Sequence, residues 1–450
     1  MRRSMALRDE HLADLHRRAR ELDVPKYRML PRDDLIEAIS ERSGDGEAEP
    51  EVRDRVAERE PERAPEAEAA TEPEAEAAPE PGSDRAPEPD REPEAETEAE
   101  TETETETEEI TGVLDRMPQG YGFIRLSGLN EEEGDVYVSA SQIRRCELRP
   151  GDEVRGPARP PRRGERHRAL VRVEAVNGQS PEDDRILFED LTAAPPHRRL
   201  LSPDAPGDPL VRAVDLLGPL ALGQRVLVLA QPRSGRTTLL RALGAAIAET
   251  GAHLCVLLAD ERPEEVPQWE RALPQAEIFA STADQEPRDQ IRAAELAMDH
   301  AKRLAEAGED VVALIDSLSR LALGYRDPAR VKRMFGAGRE LAEEGTGSLT
   351  VIATVLDSDD RGTEVRQALE TTENLLLRLD AGLAAKGIVP ALVVADCRAS
   401  GEDELRDAEE MEKVRRLREE LSGMDPEEAA RSLSDQIVAT SSNAELLARL

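Results

Sequence analysis

The stretch Arg225–Leu240, RVLVLAQPRSGRTTLL, decides how the C-terminal part of this chain is read. Val226–Ala230 is an unbroken apolar run of the kind that forms a strand covered on both faces, and Pro, Ser and Gly then mark a tight turn before a helix begins. Strand, tight turn and helix start are the layout of a phosphate-binding P-loop. In such a loop the backbone amides wrap the phosphates, a lysine reaches the terminal ones, and the next hydroxyl holds magnesium. Here Arg236 stands where the lysine is needed and Thr237 supplies the hydroxyl.

Outward from this loop, from about Ile186, buried strands alternate with amphipathic helices. RVLVLAQ, HLCVLLADE, AEIFAST, DVVALIDS, SLTVIATV, NLLLRLD and IVPALVVAD read as strands, with TLLRALGAAIAE and DQIRAAELAMDHAKRLAEAG as helices between them. That order predicts an α/β sheet of mostly parallel strands with the loop at its C-terminal edge, where ligands of such sheets bind. Asp316 ends VVALID, the place of a carboxylate that orients magnesium through water. Glu261 ends HLCVLLADE and is a candidate general base for an attacking water. The alternative for both acids is that they only cap strands and satisfy helix N-termini.

A chain of 450 residues exceeds one ordinary core, so several domains are expected. Residues 44–109 hold 27 acids against 6 arginines and end in TETETETEE, which concentrates much of the formal charge of -36 in one segment. With almost nothing larger than valine to bury, that segment reads as an extended, disordered acidic linker. Residues 110–178 carry 12 arginines against 10 acids, a slight basic excess where a polyanion can dock. Their short runs ITGVLDRM, GYGFIRL, DVYVS, EVRGPAR and ALVRVEAV, separated by turn residues, predict a small barrel. Tyr121, Phe123 and Arg125 fall on one face of a strand and Tyr137 lies on a later one. The rings form either a base-stacking platform beside arginines or the barrel's own core; glycines 120 and 122, which leave the rings uncovered, favour the platform.

Residues 7–42 carry two short helical patterns broken at Leu30-Pro31, read either as a plain spacer hairpin or as a nucleic-acid-binding helical module. Cys146, Cys255 and Cys397 are far apart and lack C-x-x-C spacing, so neither a disulfide framework nor a zinc site is indicated. No run of eighteen apolar residues occurs, and the basic N-terminus lacks the apolar segment of an export signal. A soluble cytoplasmic protein without membrane partners is expected.

At this point the strings GYGFIR, DVYVSASQIRR, RPPRRGER, ILFEDLT, ADERPEEV, IDSLSRLA and GSLTVIAT, in this order, resemble the Rho family of bacterial transcription termination factors. The resemblance covers residues 7–42 and 110 to nearly the C-terminus. It implies four segments: a helical module at 1–43, the linker at 44–109, an OB-type RNA-binding barrel at 110–180 and a RecA-like ATPase domain at 181–450. It also implies ATP and Mg2+ as cofactors, single-stranded RNA and the transcribing polymerase as partners, and a hexameric ring. Carried over by position, Gly223, Gln224 and Arg225, then Arg233, Ser234, Gly235, Arg236, Thr237 and Thr238, and Arg262, fall on the family's nucleotide contacts. Glu261 falls on the catalytic carboxylate, and Thr237 and Asp316 on the magnesium site. Gly120, Tyr121, Gly122, Phe123, Ile124, Arg125, Asp135, Val136, Tyr137, Glu165, Arg166 and His167 fall on the primary RNA site, with His167 in place of a tyrosine. Lys332 falls on the secondary RNA site of the central hole.

The departures from the family pattern are equally specific. Both loop lysines are arginines, Arg233 and Arg236, and a planar fork does not substitute simply for a compact ammonium. Only RDPARV separates Tyr325 from Lys332, where the family has a longer RNA-gripping loop. Ala381 fills the position aligned with an arginine finger, and Gly382 and Gly387 stand where basic residues are usual. Together these predict a termination factor with weak or absent ATP hydrolysis, or alternatively a non-catalytic Rho-like regulator that joins rings of an active homologue.

Overall fold

A computed structural model describes residues 107–129, 131–203, 207–325, 327–358 and 360–450, together with Ile36. The expected helical module and nearly all of the acidic linker lie outside the described residues.

The first described unit is a barrel. Its elements are β1 (Glu108–Arg116), β2 (Gly122–Arg125), β3 (Val136–Val138), α1 (Ala140–Arg145), β4 (Glu153–Arg159), β5 (Arg168–Leu170) and β6 (Ala175–Val176). The circuit β1-β2-β3-β5-β4 closes through a β1–β4 pairing, and β6 is added to β4. Closure follows from the period-two pattern: Leu114, Ile124, Val136, Val138 and Val154 point inward and are fully buried. β1 begins two residues before the expected boundary, with Glu108 and Glu109 already paired to Ala158 and Pro157. The short α1 was not foreseen. It starts in a capping box in which Ser139 and Gln142 satisfy each other's backbone amides.

The second unit is the predicted α/β sheet. In chain order it holds β7 (Ala193–Ala194), α2 (Pro209–Leu217), β8 (Arg225–Ala230), α3 (Arg236–Ala248), β9 (His253–Glu261), α4 (Val266–Ala272), β10 (Glu277–Thr282), α5 (Pro287–Glu306), β11 (Asp310–Asp316), α6 (Leu318–Tyr325), α7 (Pro328–Phe335), β12 (Arg339–Leu341), β13 (Ser348–Leu356), α8 (Asp360–Leu369), β14 (Leu375–Leu379), α9 (Ala381–Ala385), β15 (Arg398–Ala399), α10 (Ala408–Ser422), α11 (Pro426–Val438) and α12 (Asn443–Ala448). The main strand order is β10-β9-β11-β13-β8-β14-β15, parallel from β10 through β14, with β12 and β7 continuing antiparallel from β13. β8 explains why an unbroken apolar run is needed at the centre: Val226, Val228 and Ala230 enter one core layer, Leu227 and Leu229 the other.

One predicted strand is absent. IVPALVVAD contributes a single bridge, Leu392 to Leu379, and a 3-10 turn at Val394–Asp396. Pro390 has no N–H to give a ladder, and the edge beside β14 is taken by β15 instead. The shortened region after Tyr325 is also visible, since residues 326 and 327 alone separate α6 from α7.

The barrel is docked tightly on α5. Arg292 donates to Asp115 at 2.6 Å, Arg149 to Glu306 at 2.6 Å, and His300 Nδ1 lies 2.9 Å from the Gly151 carbonyl oxygen. Gly151 has φ +83°, and a Cβ there would lie 2.4 Å from the His300 backbone nitrogen, so only glycine fits this turn. All three cysteines are free. Among the described residues no helix is long and apolar enough to cross a membrane.

Candidate functional site

β8 delivers its last residue, Ala230, to the C-terminal edge of the sheet, and the chain turns through residues 231–235 into α3. Gly235 is the helix N-cap at φ +89°, with open space where a Cβ would stand and no side chain capping the helix. The first amides of α3 therefore face outward without a side-chain partner, as phosphate binding at a helix N-terminus requires. Arg233 also adopts a positive φ, +65°, and is exposed, whereas Ser234 is buried. Thr237 and Thr238 lie in the first turn of α3.

Arg236 does not project freely from this cradle. Its Nε lies 3.0 Å from Asp316 Oδ1. The contact is an ion pair without a hydrogen bond, since Arg236 Nε has no acceptor. Asp316 is buried at the end of β11, where Oδ1 accepts from the Thr354 hydroxyl at 3.0 Å and Oδ2 has no hydrogen-bond partner. Burial pushes the Asp316 carboxyl above its ordinary value, while Arg236 and Thr354 pull it down. The orphaned Oδ2 and the Thr237 hydroxyl fit a hard cation with oxygen ligands, but Oδ1 is held by a guanidinium.

Glu261 is likewise occupied. It is buried at the end of β9 and accepts from Arg320 Nη1 at 2.9 Å; the same nitrogen donates to the Asp260 carbonyl at 2.7 Å. Arg320 lies in the first turn of α6, which begins at Leu318 just after Asp316 ends β11, so its nearness to the strand end was the available signal. Thr354 on β13 carried no such local signal. Arg262 is exposed, and its amide donates to Glu261 Oε1 at 3.2 Å.

Three expected nucleotide contacts are not brought here. Gly223, Gln224 and Arg225 lie at the opposite end of β8, roughly 20 Å away at the usual strand rise. Gly223, with φ +76°, packs on the Glu340 backbone. The Gln224 amide is spent on Ala221 and Pro219, and Arg225 donates to the carbonyls of Thr372 and Gly338. Their local role is to fasten the sheet. Ala381 is the first residue of α9, its amide bonded to Gln231 of the loop at 3.2 Å.

On the barrel the rings lie outside the core and gather on one face. Phe123 sits centrally, with ring centroids 5.8 Å from Tyr121, 6.0 Å from Tyr137 and 5.0 Å from His167; Tyr121 and Tyr137 are 5.7 Å apart. The β2–β3 register explains this, because Phe123 pairs with Tyr137 while Ile124 and Val136 point inward beside it. Gly120 makes the preceding turn at φ +96°, and Gly122 packs against Leu114. A groove of about 550 Å³ adjoins the rings, lined among others by Arg145, Arg159, Arg166 and His167. Glu165 is paired with Arg159 at 2.6 Å, which helps hold its carboxyl down at about 2. Arg166 remains exposed.

Arg125 and Asp135 require correction as members of an open surface. Arg125 is 2% exposed and is clamped between Asp115 and Asp135, with Arg292 closing onto Asp115 from α5. Its guanidinium lies 5.6 Å from the Phe123 centroid. It braces the platform from beneath and joins it to the sheet domain. Lys332 is exposed on α7.

The fold and site define a P-loop ATPase-type domain that carries an OB-type RNA-binding barrel. Family models agree: the Rho termination factor RNA-binding domain matches residues 110–182, and the nucleotide-binding domain of the ATP synthase alpha/beta family matches residues 211–338. Transcription termination factor Rho of Bacillus subtilis is 40% identical over 69% of this chain and 78% of its own length. That of Haemophilus influenzae is 39% identical over 74% of the chain and 86% of its own. Against Rho of Streptomyces lividans, 39% identical over 76% of the chain, the match spans only 51% of the longer relative. The chain belongs to the Rho family of transcription termination factors.

Proposed function

We propose that this chain binds single-stranded RNA across the Tyr121, Phe123, Tyr137 and His167 rings and the adjoining arginine groove, and binds ATP with Mg2+ at the loop of residues 233–238. It acts in the cytoplasm on transcribing polymerase as one subunit of a hexameric ring, but turns ATP over slowly. The observation that carries slow turnover is the Arg236–Asp316 ion pair.

The chemistry follows from these side chains. The uncapped amides of α3 hold phosphate oxygens and need no side-chain charge to do so. Bound magnesium would neutralise charge between the phosphates, with Thr237 and Asp316 as its holders. Arg236 occupies the Oδ1 side and leaves only Oδ2 open for that task, so the guanidinium must turn away before the whole carboxylate is available. Glu261 must likewise loosen from Arg320 to accept a proton from water. Each rearrangement raises the barrier to hydrolysis without weakening the amide cradle.

The test measures nucleotide-dependent melting and RNA-stimulated phosphate release on the same preparation. ATP with magnesium should raise the melting temperature while phosphate release stays far below that of an active family member. Brisk release that Glu261→Ala abolishes overturns this reading.

One observation favours the second reading, a non-catalytic ring subunit: only two residues, 326 and 327, lie between the end of α6 and the start of α7. That reading predicts co-assembly with an active Rho and lowered turnover of the mixed ring. Independent assembly without exchange counts against it.

A further inference from the structure

His253 and Cys255 are two residues apart near the start of β9 and therefore share one face of the sheet. Glu277, the first residue of β10, is the register partner of Cys255. α5 lies across this face and brings His300 onto it. His253 Nε2 is 3.3 Å, His300 Nε2 3.4 Å and Cys255 Sγ 3.9 Å from the same Glu277 oxygen. Among the described residues, His253, Cys255 and Glu277 are the only three such groups whose donor atoms all lie within 4.8 Å of one another. A tetrahedral cation with bonds of about 2.0–2.3 Å sets its ligands about 3.3–3.8 Å apart, close to the three separations from Glu277; His300 lies outside the 4.8 Å set and would have to move in.

The proton arrangement points the same way. His300 Nδ1 faces the Gly151 carbonyl, which only accepts, so that nitrogen carries an N–H and the ring is held with Nε2 toward Glu277. His253 Nε2 faces the same oxygen and makes no hydrogen bond. Two imidazole nitrogens converge on one carboxylate, with Glu309 3.8 Å from the other nitrogen of His253, a donor set in which a divalent cation could take the place of protons. An imidazole whose other nitrogen is fixed by a carbonyl is the arrangement that orients metal-binding histidines. Cys255 and His300 are buried, whereas His253 and Glu277 are part-exposed and leave a route of entry.

We propose that His253, Cys255 and Glu277 bind one divalent cation of the zinc class, with His300 drawn in from α5 as the fourth ligand. It ties the starts of β9 and β10 to α5 and, through His300, to the Gly151 turn of the barrel. The nucleotide site is at the far end of β9, roughly 26 Å away at the usual strand rise, so the cation is structural and takes no part in phosphate chemistry. The cysteine spacing argued against a zinc site because the ligands come from three separate elements, one ligand pair excepted.

The experiment uses the untagged full chain, stripped with EDTA and titrated with Zn2+ against a chromophoric chelator, and with Co2+ by absorption. One ion per chain, a tetrahedral Co2+ spectrum with a thiolate charge-transfer band, and a melting temperature raised by Zn2+ are expected. Cys255→Ser should remove the band. His253→Gln and Glu277→Gln, at part-exposed positions where folding is safer, should each weaken zinc at least about tenfold. No stoichiometric ion, no thiolate band, or unchanged affinity in these two variants overturns the proposal and leaves an ion-pair cluster. Nucleotide binding should be the same with and without zinc.

Discussion

The aromatic face of the barrel and the nucleotide site of the sheet domain treat their charged groups in opposite ways. On the barrel, Tyr137 is exposed and Arg166 faces solvent, with the ion-paired charges tucked beneath or beside the rings. At the loop, Asp316 is already joined to Arg236 and Glu261 to Arg320. On the proposed reading, one surface takes its ligand as it stands, and the other breaks internal contacts before it acts. A chain arranged in this way can retain capture while losing turnover, because the two functions draw on different sets of side chains.

The largest expected effect tests whether the charges under the rings are structural. Arg125→Ala leaves Asp115 and Asp135 buried without their shared partner and should lower unfolding stability by about 3–5 kcal/mol in a denaturant titration. A stable variant with weakened RNA binding would place Arg125 in the open surface after all and erase half of the contrast. Phe123→Ala comes next, with a loss of about 1–3 kcal/mol in single-stranded RNA affinity by fluorescence anisotropy and little change in melting. A fall in stability with affinity intact would make the ring core.

On the other side of the comparison, Arg236→Lys should raise RNA-stimulated phosphate release about tenfold, a barrier change of ~1.4 kcal/mol. Unchanged release would mean that the Asp316 pair is not what slows the site. The smallest effect belongs to Arg166→Ala, which should flatten the salt dependence of RNA binding by about 0.7 in log-log slope if it meets one phosphate. An unaltered slope would remove Arg166 from the groove's contacts.

Much of this was legible locally. The parallel strands announced themselves as apolar runs, and Asp316 and Glu261 were found because each ends one. Tyr121 and Phe123 were placed on a common face by strand alternation alone. What escaped depends on partners distant in sequence. Arg125 has the right spacing for the ring face, but Asp115 comes from β1 and Arg292 from another domain. Gly223, Gln224 and Arg225 precede the P-loop by few residues, yet a six-residue strand carries them to the far side of the sheet. IVPALVVAD has a strand's composition, and one proline denies it a strand's hydrogen bonds.

The Gly151 turn has a mechanical meaning as well. Since even a methyl group there would collide with α5, the barrel has no slack against that helix. If RNA lies on the rings as proposed, this contact would help set its direction relative to α5. Load on the rings would then reach the helix that covers β9 and β11 through Arg292 and His300. Enlarging that single turn would install a hinge between grip and motor, and would separate how tightly the chain holds RNA from how well the sheet feels the pull.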